Sequence, residues 1–162
     1  MFTNGRNPAI LSGMDSETLI LILAPLGFLI IFPLFWSAIV FFISRLGGWA
    51  TIAAEYPYRE PLAADCMPLQ SAILRFNNSY NGVLKICADD EGLYFSVFFP
   101  FRPGHEPFFV PWEEISGQRS GYFIYRMVDL RFERTPDIPF RLYKRNADKL
   151  VEAVNGRWTY QE

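Results

Sequence analysis

Residues 18–44 read TLILILAPLGFLIIFPLFWSAIVFFIS, 27 positions without a charge between Glu17 and Arg45. A helix rises 1.5 Å per residue, and ~20 apolar residues cross a ~30 Å hydrocarbon core. The stretch is long enough to span a membrane with some tilt, and a transmembrane helix is predicted over residues 18–45. A charge at the bilayer centre costs roughly 2.5–3.5 kcal/mol, so the absence of charge fits a lipid setting. The buried helix of a soluble core is shorter and carries a polar stripe. A cleaved signal peptide has a basic start and an apolar stretch of only ~7–15 residues. Here residues 1–17, MFTNGRNPAILSGMDSE, hold one Arg and two acids. The run is therefore read as an uncleaved anchor behind a short N-terminal tail. Pro25 and Pro33 predict a kink. The carbonyls they free need neighbours in lipid, which a partner helix would supply, although proline is also commoner in membrane helices generally. Arg45 and Trp49 are placed to anchor the membrane interface.

Outward from this stretch, the composition bounds the rest. The chain has 162 residues, 51% apolar and 20% charged, with a formal charge of −2. That length allows one modest globular unit. Sixteen Phe exclude a disordered chain, and a pI near 5.5 excludes a strongly basic nucleic-acid binder. Cys66 and Cys87 are too few for a disulfide framework or a four-cysteine zinc site. Read as unpaired, they fit a reducing compartment. Arg6 precedes the span and Arg45 and Arg59 follow it, so the positive-inside rule places the C-terminal domain in the cytoplasm.

Residues 46–60 are expected to form a juxtamembrane interfacial helix or linker. Gly47-Gly48 breaks the span, Trp49, Ile52, Ala53 and Tyr56 fall at helical spacing, and Pro57 ends the segment. Residues 61–68, PLAADCMP, read as a loop. From residue 69 the period becomes two. Ala72, Leu74 and Phe76 alternate with Ile73 and Arg75; Leu84, Ile86 and Ala88 share a face; so do Leu93, Phe95, Val97 and Phe99. Val128, Leu130 and Phe132 oppose Asp129, Arg131 and Glu133, and Ile138, Phe140 and Leu142 repeat the pattern. Such alternation marks half-buried antiparallel strands. Turns are expected at Asn81-Gly82, Pro103-Gly104, Ser120-Gly121 and Pro136-Asp137. A helix capped by Asn146, with Ala147, Leu150, Val151 and Val154 on one face, ends near Gly156.

Six or seven strands closed by one helix resembles the pleckstrin-homology-like (PH-like) superfold, including its GRAM and bacterial PH groups. The segment GLYFSVFFPFRPGHEPFFVPWEEI, residues 92–115, carries the resemblance. Its Pro111-Trp112-x-x-Ile115 is similar to the I-P-x-x-x-I stretch of GRAM-like domains. Phe-Arg-Pro-Gly-His together with Pro-Trp-Glu-Glu-Ile resembles a group of small bacterial single-span proteins of unknown function. The resemblance covers residues 47–158. It implies one bent antiparallel barrel with a C-terminal capping helix over 66–158, in a bacterial inner-membrane protein.

Chemistry is sparse. His105 is the single histidine; it reads either as a general base or pH switch, or as a loop residue packed on an aromatic ring and bonded to a carbonyl. No Cys-x-x-Cys, second His or glycine-rich phosphate loop is present, so no metal or cofactor is expected. Charge is asymmetric: residues 46–116 hold four bases against nine acids, and residues 117–162 nine bases against six acids. Arg126, just before MVDLRFERTPDIPFRLYKR, and Arg131, Arg141, Lys144 and Arg145 within it lie on or beside the polar face. They read as a docking face for anionic headgroups or an acidic partner, or as an ordinary solvated face with Asp129, Glu133 and Asp137 interleaved. Phe108, Phe109 and Trp112 flank the Arg102–His105 loop, as core or as an aromatic contact surface.

The sequence thus predicts a non-enzymatic, membrane-anchored interaction module that binds a protein partner or anionic lipid headgroups. The alternatives are an accessory subunit of a larger membrane complex and an enzyme built on His105 with Glu106 or Arg102.

Overall fold

The computed structural model describes residues 15–60, 65–122, 125–154 and 156–161. The predicted tail of residues 1–17 lies almost wholly outside the described residues. The chain forms two compact units, one ending at Trp36 and one running from Ser37.

One helix, α1 (Ser16–Gly47), carries the apolar run, with Pro25 and Pro33 inside it. It is long and apolar enough to cross a membrane, with a mean hydropathy of 2.6 in its most apolar stretch. Leu19–Phe35 present most of their apolar side chains outward, uncovered by any of the described residues. On this face Phe28 stacks on Phe32 at 5.1 Å, and Phe32 on Trp36 at 6.3 Å, at the four-residue spacing that aligns side chains along a helix.

In the second unit, α2 (Trp49–Glu55) follows α1 after Gly48, whose φ of +93° suits a residue without Cβ. Seven strands form one sheet: β1 (Asp65–Ile73), β2 (Ser79–Ala88), β3 (Gly92–Val97), β4 (Phe108–Pro111), β5 (Ile115–Tyr122), β6 (Tyr125–Phe132) and β7 (Phe140–Tyr143). Their order is β4-β3-β2-β1-β7-β6-β5, and every pairing is antiparallel. The curled sheet wraps one core around Leu84, Phe95, Phe108, Leu130, Phe132 and Phe140, and α3 (Lys144–Ala153) closes it with Ala147 and Leu150. Both edge strands are covered. Pro57 bridges to Phe108 on β4, and the C-terminal stretch pairs with β5 through Arg119 N–H to the Gln161 carbonyl, 2.8 Å. Covering an edge removes a template for unwanted strand addition.

The architecture agrees with the expected N-terminal apolar helix, strand set and closing helix, and several local readings are corrected. The segment around Cys66 and Met67 is strand, not loop. Gly82 lies inside β2 at φ +64°, and the turn falls earlier, at a 3-10 turn over Arg75–Asn77. Phe76 and Phe99 lie beyond their strands and point outward. α3 starts at Lys144, with Tyr143 rather than Asn146 at its cap. Trp49 is wholly buried against Phe108 and Tyr80, so it anchors the core and not a lipid interface; α2 is part of the domain. Cys66 and Cys87 are directly opposite across β1 and β2 and are joined as a disulfide. Cysteine usage therefore gives no support to a reducing compartment.

Candidate functional site

The β3–β4 connection, residues 98–107, is fastened to the end of α1. The Ser44 hydroxyl donates to the Gly104 carbonyl, and the Trp49 indole N–H to the Glu106 carbonyl at 2.8 Å. Gly104 has φ +72°, and a Cβ there would meet the Phe41 ring at 2.7 Å. Only glycine permits this approach. His105 is thereby turned inward and is 2% exposed, between the rings of Trp49 and Tyr80. Its Nδ1 lies 3.1 Å from the Pro103 carbonyl and its Nε2 3.0 Å from the Tyr80 hydroxyl. A carbonyl can only accept, so Nδ1 carries the proton and Nε2 accepts from Tyr80. The Tyr80 oxygen in turn accepts from the Asn78 amide at 3.3 Å. Burial lowers the His105 pKa below its ordinary value, against the opposing pull of backbone carbonyls at Pro103 and Phe101. Burial also raises Tyr80. Both ring nitrogens are engaged within the protein, so His105 offers no open nitrogen for acid–base work with Glu106 or Arg102.

Phe108, Phe109 and Trp112 are buried, and they leave the expected aromatic contact surface for the interior. Phe108 packs on Phe95 at 4.8 Å, Trp112 stacks on Trp158 at 6.1 Å, and Phe109 lies against Tyr94 at 4.6 Å. Arg59 covers the outer face of Phe109, 4.3 Å from the ring centre. Arg102 remains exposed; with Lys85 and Tyr58 it lines a cavity of about 260 Å3 beside the Cys66–Cys87 disulfide.

The basic residues do not form one face. Arg141 pairs with Asp129 at 3.3 Å. Arg131 shares an open depression with Glu113, Glu114 and Glu133. Arg126, Lys144 and Arg145 do come together, with Lys149, around a depression of about 620 Å3 at the start of α3. Lys144 is tied there to Asp148 at 2.9 Å; its hydrogen bonds to Tyr160 and then Asp148 raise its pKa, and the bonds that Asp148 accepts from Tyr160 and Lys144 lower that of Asp148. Arg45 is exposed at the end of α1, with its guanidinium 5.1 Å above the Phe41 ring.

A second constellation escaped the sequence reading. The Tyr56 hydroxyl donates to Glu114 Oε2 at 2.9 Å and accepts the Arg134 backbone N–H at 2.9 Å. The Arg134 side chain binds both Glu114 oxygens and reaches the Glu55 carbonyl at 3.1 Å. Burial, with a smaller push from Glu114, drives the Tyr56 pKa up to about 12, and the Arg134 guanidinium holds the Glu114 carboxyl below its usual range. This clamp fixes α2 to the sheet. Its members lie 58 and 78 residues apart, and no local motif announces such a contact.

Among the described residues no three His, Cys, Asp or Glu side chains gather as a metal would require. No protein-family model, curated protein or solved structure matches this chain.

Proposed function

We propose that this chain is a non-enzymatic interaction module held at a membrane surface by α1, with a β domain of the PH-like kind. One observation carries the reading: apolar side chains emerge on every side of the helix over residues 19–35, and none of the described residues covers them. Water disfavours such a surface and hydrocarbon does not. A tethered domain is held at high local concentration at the membrane, so weak contacts suffice. The depression lined by Arg126, Lys144, Arg145 and Lys149, four bases against Asp148 and Glu152, supports capture of an acidic protein segment or anionic headgroups.

A second reading, an accessory subunit of a membrane complex, is favoured by the Phe28–Phe32–Trp36 ridge, a surface suited to a neighbouring helix. Fractionation of the full chain tests the anchor: it is expected with membranes after alkaline carbonate washing, and recovery in the supernatant overturns the proposal. Purification in mild detergent then separates the readings. Companions lost on Arg126→Glu with Arg145→Glu support the docking module. Companions kept in that variant but lost on Phe32→Ala support the subunit.

A further inference from the structure

We infer that the β domain is itself seated in the bilayer interface, through the tips of two loops whose exposed rings, Phe76 and Phe99, enter the headgroup and upper acyl layer beside the end of α1. The inference rests on the reading of α1 as a membrane span and adds the pose of the domain on the lipid.

The two loops lie at one end of the sheet. β2 begins just after the 74–78 connection, and β3 ends alongside that start, with Leu84 opposite Val97 and Phe98 N–H bonded to the Val83 carbonyl at 2.9 Å. Both loops are fixed to the last turns of α1. The Asn78 amide reaches the Ile43 carbonyl at 3.5 Å, and Gly104 abuts Phe41 with its carbonyl held by Ser44. Phe41 precedes Arg45, the first charge after the apolar run, by four residues, about 6 Å of helix. The 98–104 loop therefore packs beside helix that is still uncharged. The run of 27 residues measures about 40 Å, against a hydrocarbon core of ~30 Å and ~40–45 Å with headgroups. Its last residues consequently occupy the interfacial layer, and so does whatever packs on them.

The loops are built for that layer. After Gly47, the exposed large apolar side chains among the described residues are Tyr58, Leu69, Phe76, Phe98 and Phe99. Three of the five stand on these two loops, with Phe76 82% and Phe99 87% exposed. Phe76 is held at φ +55°, a conformation uncommon for a bulky residue, which sends its ring outward from the turn. Phe99 occupies the middle of a turn closed by Phe101 N–H to the Phe98 carbonyl, 2.9 Å. Arg75 lies 5.8 Å from the Phe76 ring, and Arg102 is exposed on the second loop, so each aromatic tip has a cation at headgroup reach. Phe41, Phe42, Ile43 and Leu46 are exposed on the same turns of α1 to which both loops are fixed. That adjacency favours lipid over a separate protein as the occupant.

The test uses the full chain with single cysteines at Phe76→Cys, Phe99→Cys, Phe35→Cys and Gly121→Cys, each carrying an environment-sensitive nitrobenzoxadiazole label. The native cysteines are paired, and Gly121 has open space around its Cβ position. Each protein is reconstituted into phosphatidylcholine vesicles with plain or brominated acyl chains. Labels at positions 76 and 99 are expected to emit blue-shifted light and to lose intensity in brominated vesicles, as at position 35, while position 121 behaves as in water. Water-like emission at 76 and 99 with quenching at 35 overturns the inference, leaves the span standing, and assigns the exposed rings to a protein partner. Absence of quenching at 35 overturns the span and the inference with it.

Discussion

The Tyr80 hydroxyl and His105 Nε2 stand 3.0 Å apart in a buried site, and with the Nδ1 proton on the Pro103 carbonyl, Nε2 accepts from Tyr80 and the imidazole is neutral. A proton added to Nε2 would make the Tyr80 hydroxyl turn from donor to acceptor and would place a charge among Trp49, Tyr80 and Phe108. The adjacent cavity is lined by Lys85, Arg102 and Tyr58 and, among the described residues, by no carboxylate that could compensate.

Stability should therefore fall on acidification in a defined window. The His105 pKa is lowered from 6.5, so below that value the unfolded chain binds a proton that the folded chain refuses. The stabilisation is complete above about pH 6.5 and is lost as pH falls towards the folded value, with a slope of up to ~1.4 kcal/mol per pH unit. Glu114 and Asp148, lowered from 4.5 and 3.8, enter only at more acidic pH. Denaturant unfolding of the full chain in detergent between about pH 7.5 and pH 5 measures the slope. In His105→Gln the slope should vanish over that range; an unchanged slope assigns the titration elsewhere.

The Tyr56 hydroxyl joins α2 to both Glu114 and the Arg134 backbone. Tyr56→Phe keeps the buried ring and removes one bond to a charged acceptor and one from a backbone donor. The expected loss is ~1.5–3 kcal/mol, the range for hydrogen bonds to charged groups. Chemical denaturation measures it, and a loss no larger than that of an exposed Tyr58→Phe change would show that the clamp is not holding α2.

The residues that read correctly in the sequence are those whose signal is local. Val128, Leu130 and Phe132 alternate with polar neighbours and are all buried, and the apolar run announces α1 by length alone. Phe76 and Phe99 continue the same alternation but lie past the points where their strands end, so periodicity assigned them to the core. β1 was obscured because Pro68 and the positive-φ Leu69 interrupt its period between Cys66 and Ala72. Trp49 follows an apolar run at helical spacing, a pattern that an interface helix and a core helix share; only the sheet beneath it decides. The interleaved acids Asp129 and Glu133 are legible in the sequence, but the cross-strand pairing of Asp129 with Arg141 is not, since it depends on the register of β6 and β7.

Glycine substitutions at two positions should act in opposite directions. Gly104→Ala places a Cβ against Phe41, including its backbone, at a φ of +72°, and should cost ~1–3 kcal/mol while loosening the loop from α1. Gly121 has no atom near the Cβ position and no positive φ, so Gly121→Ala should be neutral or stabilise by up to ~1 kcal/mol. Thermal unfolding of both variants beside the parent checks the pair. Equal effects would mean that the approach of the loop to Phe41 does not matter to the fold.

The Cys66–Cys87 disulfide bears on both stability and compartment. It ties β1 to β2 across a sequence separation of 21 residues, and a loop of that size is restrained in the unfolded chain by ~3 kcal/mol. Reduction, or Cys66→Ser with Cys87→Ser, should lower the unfolding free energy by about that amount, read from the shift in denaturation midpoint. The pair is already adjacent in register, so the folded sheet should change little. Alkylating free thiols in intact membranes before any oxidation can occur reports the native state of the pair. Protected cysteines would place the β domain on an oxidising side, because glutathione and thioredoxin keep such pairs open in the cytosol. Alkylated cysteines would place it in a reducing compartment, as the arginines at 45 and 59 favour.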